Sequence, residues 1–507
     1  MLLKSSLIRA VSQTKGVITR GYKAKAKKIP EFTQDRYQVS RKSFAAVTDS
    51  DVSQFEKTIG SKYVVTDSEE LLTHNVDFLK AVRGNSKVVL KPGSTEELSQ
   101  IMKYCYEKNL AVCPQGGNTG LVGGSVPVFD EIVISLNRMN KIHSIDEMTG
   151  IAVADSGVIL ENLEKSANEH GLVVPLDLGA KASCHIGGNV STNAGGLRVI
   201  RYGSLHGSVL GVESVLANGT VLDLMSNFKK DNTGYHLKHM FIGSEGTLGI
   251  ISKLAILCPP APRAFHVAFV GLPSFDAVLQ TYLSAKRQLG EILSSCEMMD
   301  KDALAAAIQH FGLKPPIGDF PFYMLLETSG SNGDHDMEKF TSFVDHGMET
   351  GNILDGVVTG EPSKINEIWK CRELSAMAIV SRDGFSFNYD FSLPLRQFYE
   401  MVPVMKERCQ PLAHRVCGFG HLGDCNLHLS VCFPEYSQEA YDLVEPFVYE
   451  YVSKLKGSFS SEHGLGFFKS KYLHYSKNNE AISLMKDVKN LMDPKGILNP
   501  YKVLPLK

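Results

Sequence analysis

Residues 114–128 read Pro-Gln-Gly-Gly-Asn-Thr-Gly-Leu-Val-Gly-Gly-Ser-Val-Pro-Val. Two more runs of this kind follow. One is Ile186-Gly187-Gly188-Asn189-Val190-Ser191-Thr192-Asn193-Ala194-Gly195-Gly196, and the other is Gly243-Ser244-Glu245-Gly246-Thr247-Leu248-Gly249-Ile250-Ile251. Backbone N–H groups converge on a phosphate only where no Cβ intervenes, and glycines permit that approach. Turn chemistry alone would account for one such loop. Three dense clusters between residues 114 and 251 point instead to a phosphate-bearing cofactor.

The text around the clusters is of short apolar runs broken by Gly, Asn and Asp: KVVLKPGS, NLAVCPQGG, DEIVISL, GIAVADSGVI and GLVVPLDLG. These read as strands, with helical stretches at Thr95–Lys108 and Leu160–His170 between them. Val212–Leu216 and Val221–Leu224 flank Asn218-Gly219, the signature of a tight hairpin turn. Cys258-Pro259-Pro260-Ala261-Pro262 is a stiff break and a domain boundary. Beyond it strands (HVAFVGL, PFYMLLETS) alternate with helices (FDAVLQTYLSAKRQL, DMEKFTSFVDHGM), a second α+β unit. Glu439–Leu455, kinked at Pro446, and Glu480–Met492 read as helices, as do the polar residues 45–85.

The chain has 507 residues, 43% of them hydrophobic and 21% charged, which fits a folded protein with ample core. Its net charge of -2 argues against a nucleic-acid binder. The balance hides an asymmetry. Lys4, Arg9, Lys15, Arg20, Lys23, Lys25, Lys27 and Lys28 precede the first acid, Glu31. With Leu3, Leu7, Ile8, Val11 and Ile18 able to share a helical face, residues 1–22 read as a mitochondrial transit peptide cut after Arg20-Gly21-Tyr22, which predicts a matrix location. No run approaches the ~18–20 apolar residues of a membrane span. The ten cysteines form no C-x-x-C pair and are expected to be reduced packing residues.

Two familiar nucleotide patterns are excluded. Gly418-Phe419-Gly420-His421-Leu422-Gly423 satisfies G-x-G-x-x-G, but Asp424-Cys425-Asn426-Leu427-His428-Leu429 reads as a turn into a strand rather than a helix. There is no Walker A string. The polar candidates in the last third are Arg372, His421, Asp424, Asn426, His428, Glu462 and His463. Two histidines and a glutamate make a reasonable zinc set with a position left for substrate. His421 and His428 are seven apart, so their convergence requires a turn at Gly423-Asp424. From the residues alone a metal site and hydrogen-bonded structural histidines both stay open. Arg372 offers a planar fork to a carboxylate, or an ion pair to Glu373.

PQGGNTGLVGGSVPV, LDLGAKASCHIGGNVSTNAGGLRVIRYGSLHG and FIGSEGTLGII together resemble the FAD-binding domain of vanillyl-alcohol-oxidase-type flavoproteins. GFGHLGDCNLHLSV and SSEHGLGFFKSKY…LMDPKGILNPYKVLP resemble the FAD-linked oxidase C-terminal domain. The resemblance covers roughly residues 50–507. It implies an α+β chain: a two-subdomain FAD-binding domain, an α+β (ferredoxin-like) substrate domain and a helical C-terminal region. The expected division is a transit peptide at 1–22, an N-terminal helical segment at 23–80, the FAD domain at 81–260, a substrate or cap domain at 261–410, and a C-terminal region at 411–507 that carries the metal and substrate site and packs on the FAD domain.

The same resemblance implies the site. FAD would lie against Pro114, Gly116, Gly117, Asn118, Thr119, Gly120, Gly124, Ser125, Gly187, Gly188, Asn193, Gly195, Gly196, Gly246 and Ile250. His421, His428 and Glu462 would hold a divalent metal, zinc by preference. His463 would be the catalytic base, and Arg372, Asn388, Ser430 and His463 would contact substrate. The implied chemistry is oxidation of a D-2-hydroxy acid by hydride transfer to the flavin, with 2-hydroxyglutarate the leading substrate and electron-transfer flavoprotein the acceptor.

Four positions depart from the family pattern. Asn388 stands where a Lys is usual, Ala376 or Met377 near a usual Thr, Ser430 for Asn and Cys425 for Gly. The missing charge at Asn388 keeps another 2-hydroxy acid, such as D-lactate, as an alternative. A flavin-binding homologue with little catalysis is the alternative of another class, opposed by the presence of His421, His428, Glu462 and His463. An NAD-linked zinc dehydrogenase is disfavoured by the missing Rossmann context. Oligomeric state, a homodimer included, is left open.

Overall fold

A computed structural model of the protein describes residues 30–37 and 39–505. The expected transit peptide, and the start of the helical segment expected at 23–80, lie outside the described residues. Three sheets organise the rest. The first has four strands in the order Val64–Val65, Val89–Leu90, Ile132–Ser135, Val112–Gln115. Its last three strands are parallel, which requires a crossover. The helix Thr95–Lys108 supplies it. The Ser94 hydroxyl caps its first turn by accepting the Glu97 N–H, and Asn109 ends it in the left-handed conformation. Leu98, Ile101, Met102 and Cys105, at helical spacing, bury against Val112, Ile132 and Ile134. The strand Val112–Gln115 opens directly into the first glycine cluster.

The second sheet is antiparallel, in the order Ile142–Asp146, Ile151–Asp155, Ile250–Leu257, Val209–Val215, Val221–Leu224. It contains the expected hairpin, with Val212 opposite Leu224 and Gly219 at a φ of 83° in the turn. The helices Leu160–Glu169 and Ile186–Thr192 cover one face.

The third sheet has seven strands, all antiparallel: Asp355–Thr359, Ala264–Leu272, Phe322–Gly330, Leu293–Asp300, Arg415–His421, Asn426–Phe433, Phe385–Ser392. Alternation splits its side chains between two cores. Ala268 and Val270 face the helices Phe275–Gln288 and Gly333–Glu349. Val267 and Phe269 face Lys301–Phe311 and Pro362–Arg382. The G-x-G-x-x-G string at 418–423 ends one strand of this sheet and the next strand begins at Asn426, so it opens no helix.

The C-terminal helices form as Gln438–Val444, Phe447–Lys454 and Asn479–Met492, with the break at Pro446, which has no N–H to continue the helix. Beyond them the chain returns to the first sheet. Val112 N–H donates to Ile497 O at 2.9 Å, Asn499 N–H donates to Val112 O at 2.8 Å, and Ile497 and Leu498 are fully buried there. All ten cysteines are free, nine of them buried. No helix among the described residues is long and apolar enough to cross a membrane.

Candidate active site

All three glycine clusters line one cleft. Of the residues expected there, Pro114, Gly116, Gly117, Asn118, Thr119, Gly120, Gly124, Ser125, Gly187, Gly188, Gly246 and Ile250 line it. Asn193, Gly195 and Gly196 do not. Asn193, at a φ of 49°, accepts the His206 N–H at 3.0 Å. A Cβ on Gly196 would lie 2.4 Å from Asp177 O, and one on Gly195 would lie 3.3 Å from Glu462.

The glycines of the cleft divide into two kinds. A Cβ on Gly117 or Gly187 would strike neighbouring chain, 2.1 Å from Ser183 O or 2.3 Å from Ser156 Cβ. At Gly120 and Gly188 a Cβ would meet nothing within 4 Å and would project into open space. His185 Nδ1 and Asn189 Oδ1, both on the cleft, are buried polar atoms without a hydrogen-bond partner. Such atoms normally have partners. A cradle left open by glycines and edged by unsatisfied polar atoms suits a dinucleotide.

Three unforeseen residues hold this cleft to the C-terminal segments. The Glu245 carboxylate, in the third cluster, accepts the N–H groups of Leu465 at 2.7 Å and Gly466 at 2.8 Å. Burial pushes its carboxyl up, against those two bonds. Asn499 Nδ2 donates to Gly124 O at 3.0 Å and Glu245 O at 2.8 Å. Lys502 Nζ donates to Gly123 O and Val126 O, each at 2.7 Å. Another unforeseen residue, Lys469, pairs with Asp390, buried in the strand Phe385–Ser392.

His463 also lines the cleft, and beside it lies the histidine cluster. The turn at Gly423-Asp424 forms as required, between paired strands that place Phe419 opposite His428 and His421 opposite Asn426. His421 Nε2 and His428 Nε2 are 3.2 Å apart, and Glu462 Oε1 is 3.6 Å from His428 Nε2. Ligand atoms of His421, His428 and Glu462 all lie within 4.8 Å of one another. Two imidazoles and one carboxylate facing a common point are a donor set suited to a divalent ion with positions to spare.

Electrostatics prepares these groups. Burial, with His421 and Arg372 nearby, takes His428 down to about 3, so it is a neutral imidazole. Glu462 is held at about 2, because His463, His428 and His421 outweigh its burial. Burial opposes charge on His463, but Asp390 and Glu462 on either side push it up to about 10. His463 Nδ1 is 3.2 Å from Asp390 Oδ1, and its Nε2 is 3.3 Å from Glu462 Oε1. Asp390 also accepts the backbone N–H groups of Glu462 at 2.9 Å and His463 at 3.0 Å. Its place is set by strand register, opposite His428.

Arg372 does not pair with Glu373. It is buried in the helix Pro362–Arg382, where its Nε donates to Glu297 Oε2 at 2.9 Å and its guanidinium stands 4.8 Å from the Phe419 ring centroid. The other Glu297 oxygen is 2.8 Å from His421 Nδ1. Asn388 and Ser430 sit opposite each other, two rungs from Asp390 and His428. Ser430 Oγ donates to Asn388 Oδ1 at 2.8 Å, and Asn388 Nδ2 donates to Ser386 Oγ at 2.8 Å. That small cluster is polar and uncharged.

Comparison with known proteins agrees with this architecture. Residues 86–225 match the family described as FAD binding domain, and residues 261–503 match FAD linked oxidases, C-terminal domain. The mitochondrial D-2-hydroxyglutarate dehydrogenase of Rattus norvegicus is 51% identical over 475 residues, 94% of this chain and 88% of that protein. The D-2-hydroxyglutarate–pyruvate transhydrogenase of Saccharomyces cerevisiae is 42% identical over 492 residues, 94% of this chain and 99% of its own length. Among solved structures, p-cresol methylhydroxylase with substrate bound superposes with a TM-score of 0.72 at 16% identity, covering 90% of this chain and 97% of its own.

Proposed function

The chain belongs to the FAD-linked oxidases, and is an FAD-dependent oxidoreductase; we propose that it oxidises D-2-hydroxyglutarate to 2-oxoglutarate in the mitochondrial matrix. The observation that carries this reading is the adjacency of His463 to both the glycine-lined cleft and the His421–His428–Glu462 cluster. A reacting carbon placed there would lie between the cleft that would hold the hydride acceptor and the cluster that would hold a Lewis acid. When bound, FAD supplies the two-electron acceptor, and a divalent cation at His421, His428 and Glu462, zinc by its donor set, lowers the pKa of a coordinated hydroxyl.

The chain's own residues do the rest. Asp390 fixes the His463 ring through Nδ1 and leaves Nε2 directed at the site, the geometry required of a group that takes the hydroxyl proton. Glu462 is one of the two carboxylates that raise His463. A cation held by Glu462 would offset part of that influence on the imidazole. Arg372, with Nε committed to Glu297, presents its terminal nitrogens to a substrate carboxylate. Glu297 keeps Arg372 and His421 at a fixed separation. Electron-transfer flavoprotein would be the acceptor that takes the electrons onward.

The neutral Asn388–Ser430 pair favours a second reading, oxidation of a 2-hydroxy acid with no second carboxylate, such as D-lactate. Anaerobic flavin bleaching separates the two. D-2-hydroxyglutarate, D-lactate and D-malate are compared with their L-isomers, and bleaching by D-lactate but not D-2-hydroxyglutarate refutes the first reading. A protein that is colourless and takes up no FAD refutes both.

A further inference from the structure

Two buried carboxylates of the seven-stranded sheet reach the same helix. Glu297 accepts from Arg372 Nε at 2.9 Å, and Glu327 accepts from Trp369 Nε1 at 3.0 Å. Trp369 and Arg372 are three apart, so they share one face of Pro362–Arg382. Each carboxylate also has a second partner in a different part of the site. For Glu297 it is His421. For Glu327 it is Arg198, whose Nη1 pairs with Glu327 Oε1.

Arg198 follows directly on Gly195-Gly196-Leu197, the segment against which Glu462 packs, and its Nη2 also reaches Asp177 Oδ2 at 3.4 Å. Glu327 is 2% exposed and takes a further bond from Ser294 Oγ at 2.7 Å. A carboxylate buried to this degree is held only by good partners, and every one of its oxygens is used. Leu197 packs against the apolar cluster that includes Trp369 and Cys371 of the helix, and Glu327 adds a charged link between the same two segments.

We infer that Glu327 is a positioning residue: through Arg198 and Trp369 it sets the distance between the substrate-binding helix and the segment that backs the Glu462 side of the site. The inference rests on the reading of Arg372 as a substrate ligand. It assigns to the Arg198–Glu327–Trp369 chain the job of holding Arg372 where it binds a substrate carboxylate.

The chain has one tryptophan, so intrinsic fluorescence reports this contact directly. The experiment uses FAD-loaded protein in which wild type has already been bleached by D-2-hydroxyglutarate, which secures the underlying reading first. Addition of 2-oxoglutarate to oxidised wild type is expected to shift Trp369 emission, and Glu327→Gln and Arg198→Gln are expected to lose that shift while keeping flavin content and melting behaviour. Trp369→Phe, which keeps an aromatic ring but no N–H, and Arg198→Gln are each expected to raise KM about tenfold with a smaller change in kcat, and Arg198→Lys to recover most of the loss. Because both act through Glu327, the double variant should be no worse than the poorer single one. Additive losses in the double variant, a wild-type fluorescence response in Glu327→Gln, or unchanged KM in Trp369→Phe would overturn the inference. If Glu327→Gln does not fold, the Arg198 and Trp369 variants decide alone.

Discussion

His421 Nδ1 stands 2.8 Å from the Glu297 carboxylate. Donation from Nδ1 to that carboxylate fixes the tautomer and leaves the Nε2 lone pair facing His428 and Glu462, as a metal-ligating histidine requires. Glu297→Gln is therefore expected to weaken binding of a divalent cation about 10–100-fold. Competition with a chromophoric chelator measures it, and an unchanged affinity would show that no ion binds through His421.

The two kinds of glycine in the cleft separate cofactor binding from folding. Gly120→Ala and Gly188→Ala put a methyl group into open space, so melting of the flavin-free protein should be unchanged while FAD occupancy falls. Gly117→Ala and Gly187→Ala force a methyl group against neighbouring chain, so these variants should lose stability even without flavin. The ratio of flavin to protein absorbance and a thermal melt distinguish the pairs.

Cys425 occupies a left-handed conformation, with a φ of 61°, in the turn between His421 and His428. Such a conformation costs a side chain roughly 1–2 kcal/mol, part of which a glycine returns through its greater freedom when unfolded. Cys425→Gly should stabilise the protein by about 0.5–1 kcal/mol. A denaturant midpoint at or below that of wild type would contradict this.

Asn388→Lys places a charge beside Ser430. A charged hydrogen bond contributes about 1.5–3 kcal/mol, so the ratio of kcat/KM for D-2-hydroxyglutarate over D-lactate should rise by an order of magnitude or more. A flat ratio would mean that the far end of the substrate lies elsewhere.

Stability should also depend on Asp300, a buried carboxyl at the end of the strand Leu293–Asp300. Burial pushes it up to about 6, against hydrogen bonds from the N–H groups of Gly418 and Ala303 and the Tyr399 hydroxyl. Because the folded-state value lies above the unfolded one, its contribution is complete below about pH 4 and is lost as pH rises through about 6. Measured against Asp300→Ser, which retains a capping oxygen, wild type should lose about 2–3 kcal/mol of its advantage between these limits. A constant difference across that range would exclude the titration.

The glycine loops and the histidine hairpin were legible because their requirements are local. Backbone access to a cofactor needs adjacent glycines, and a turn at Gly423-Asp424 is the way to bring His421 and His428 together. Asp390 was not legible, since it faces His463 only because the strand Phe385–Ser392 pairs in register with Asn426–Phe433. Glu245, Glu297 and Glu327 are single acids among 55 Asp and Glu, and their partners lie in distant segments brought near by sheet order. Asn193, Gly195 and Gly196 continue the second cluster in sequence, yet the helix Ile186–Thr192 ends at Asn193 and turns the chain out of the cleft towards Glu462.

Asn499 and Lys502 tie down the loops at Gly123, Gly124 and Glu245, and the order of synthesis makes this consequential. At ~5–20 residues per second, roughly 20–75 s separate the making of residue 125 from that of residue 502. During that interval the glycine loops exist without their anchors. A chain without residues 497–502 is therefore expected to hold its flavin poorly, and loading is expected to follow completion of the chain. A ribosome stalled shortly before residue 497 would carry nearly the whole fold and an unfinished nucleotide cleft.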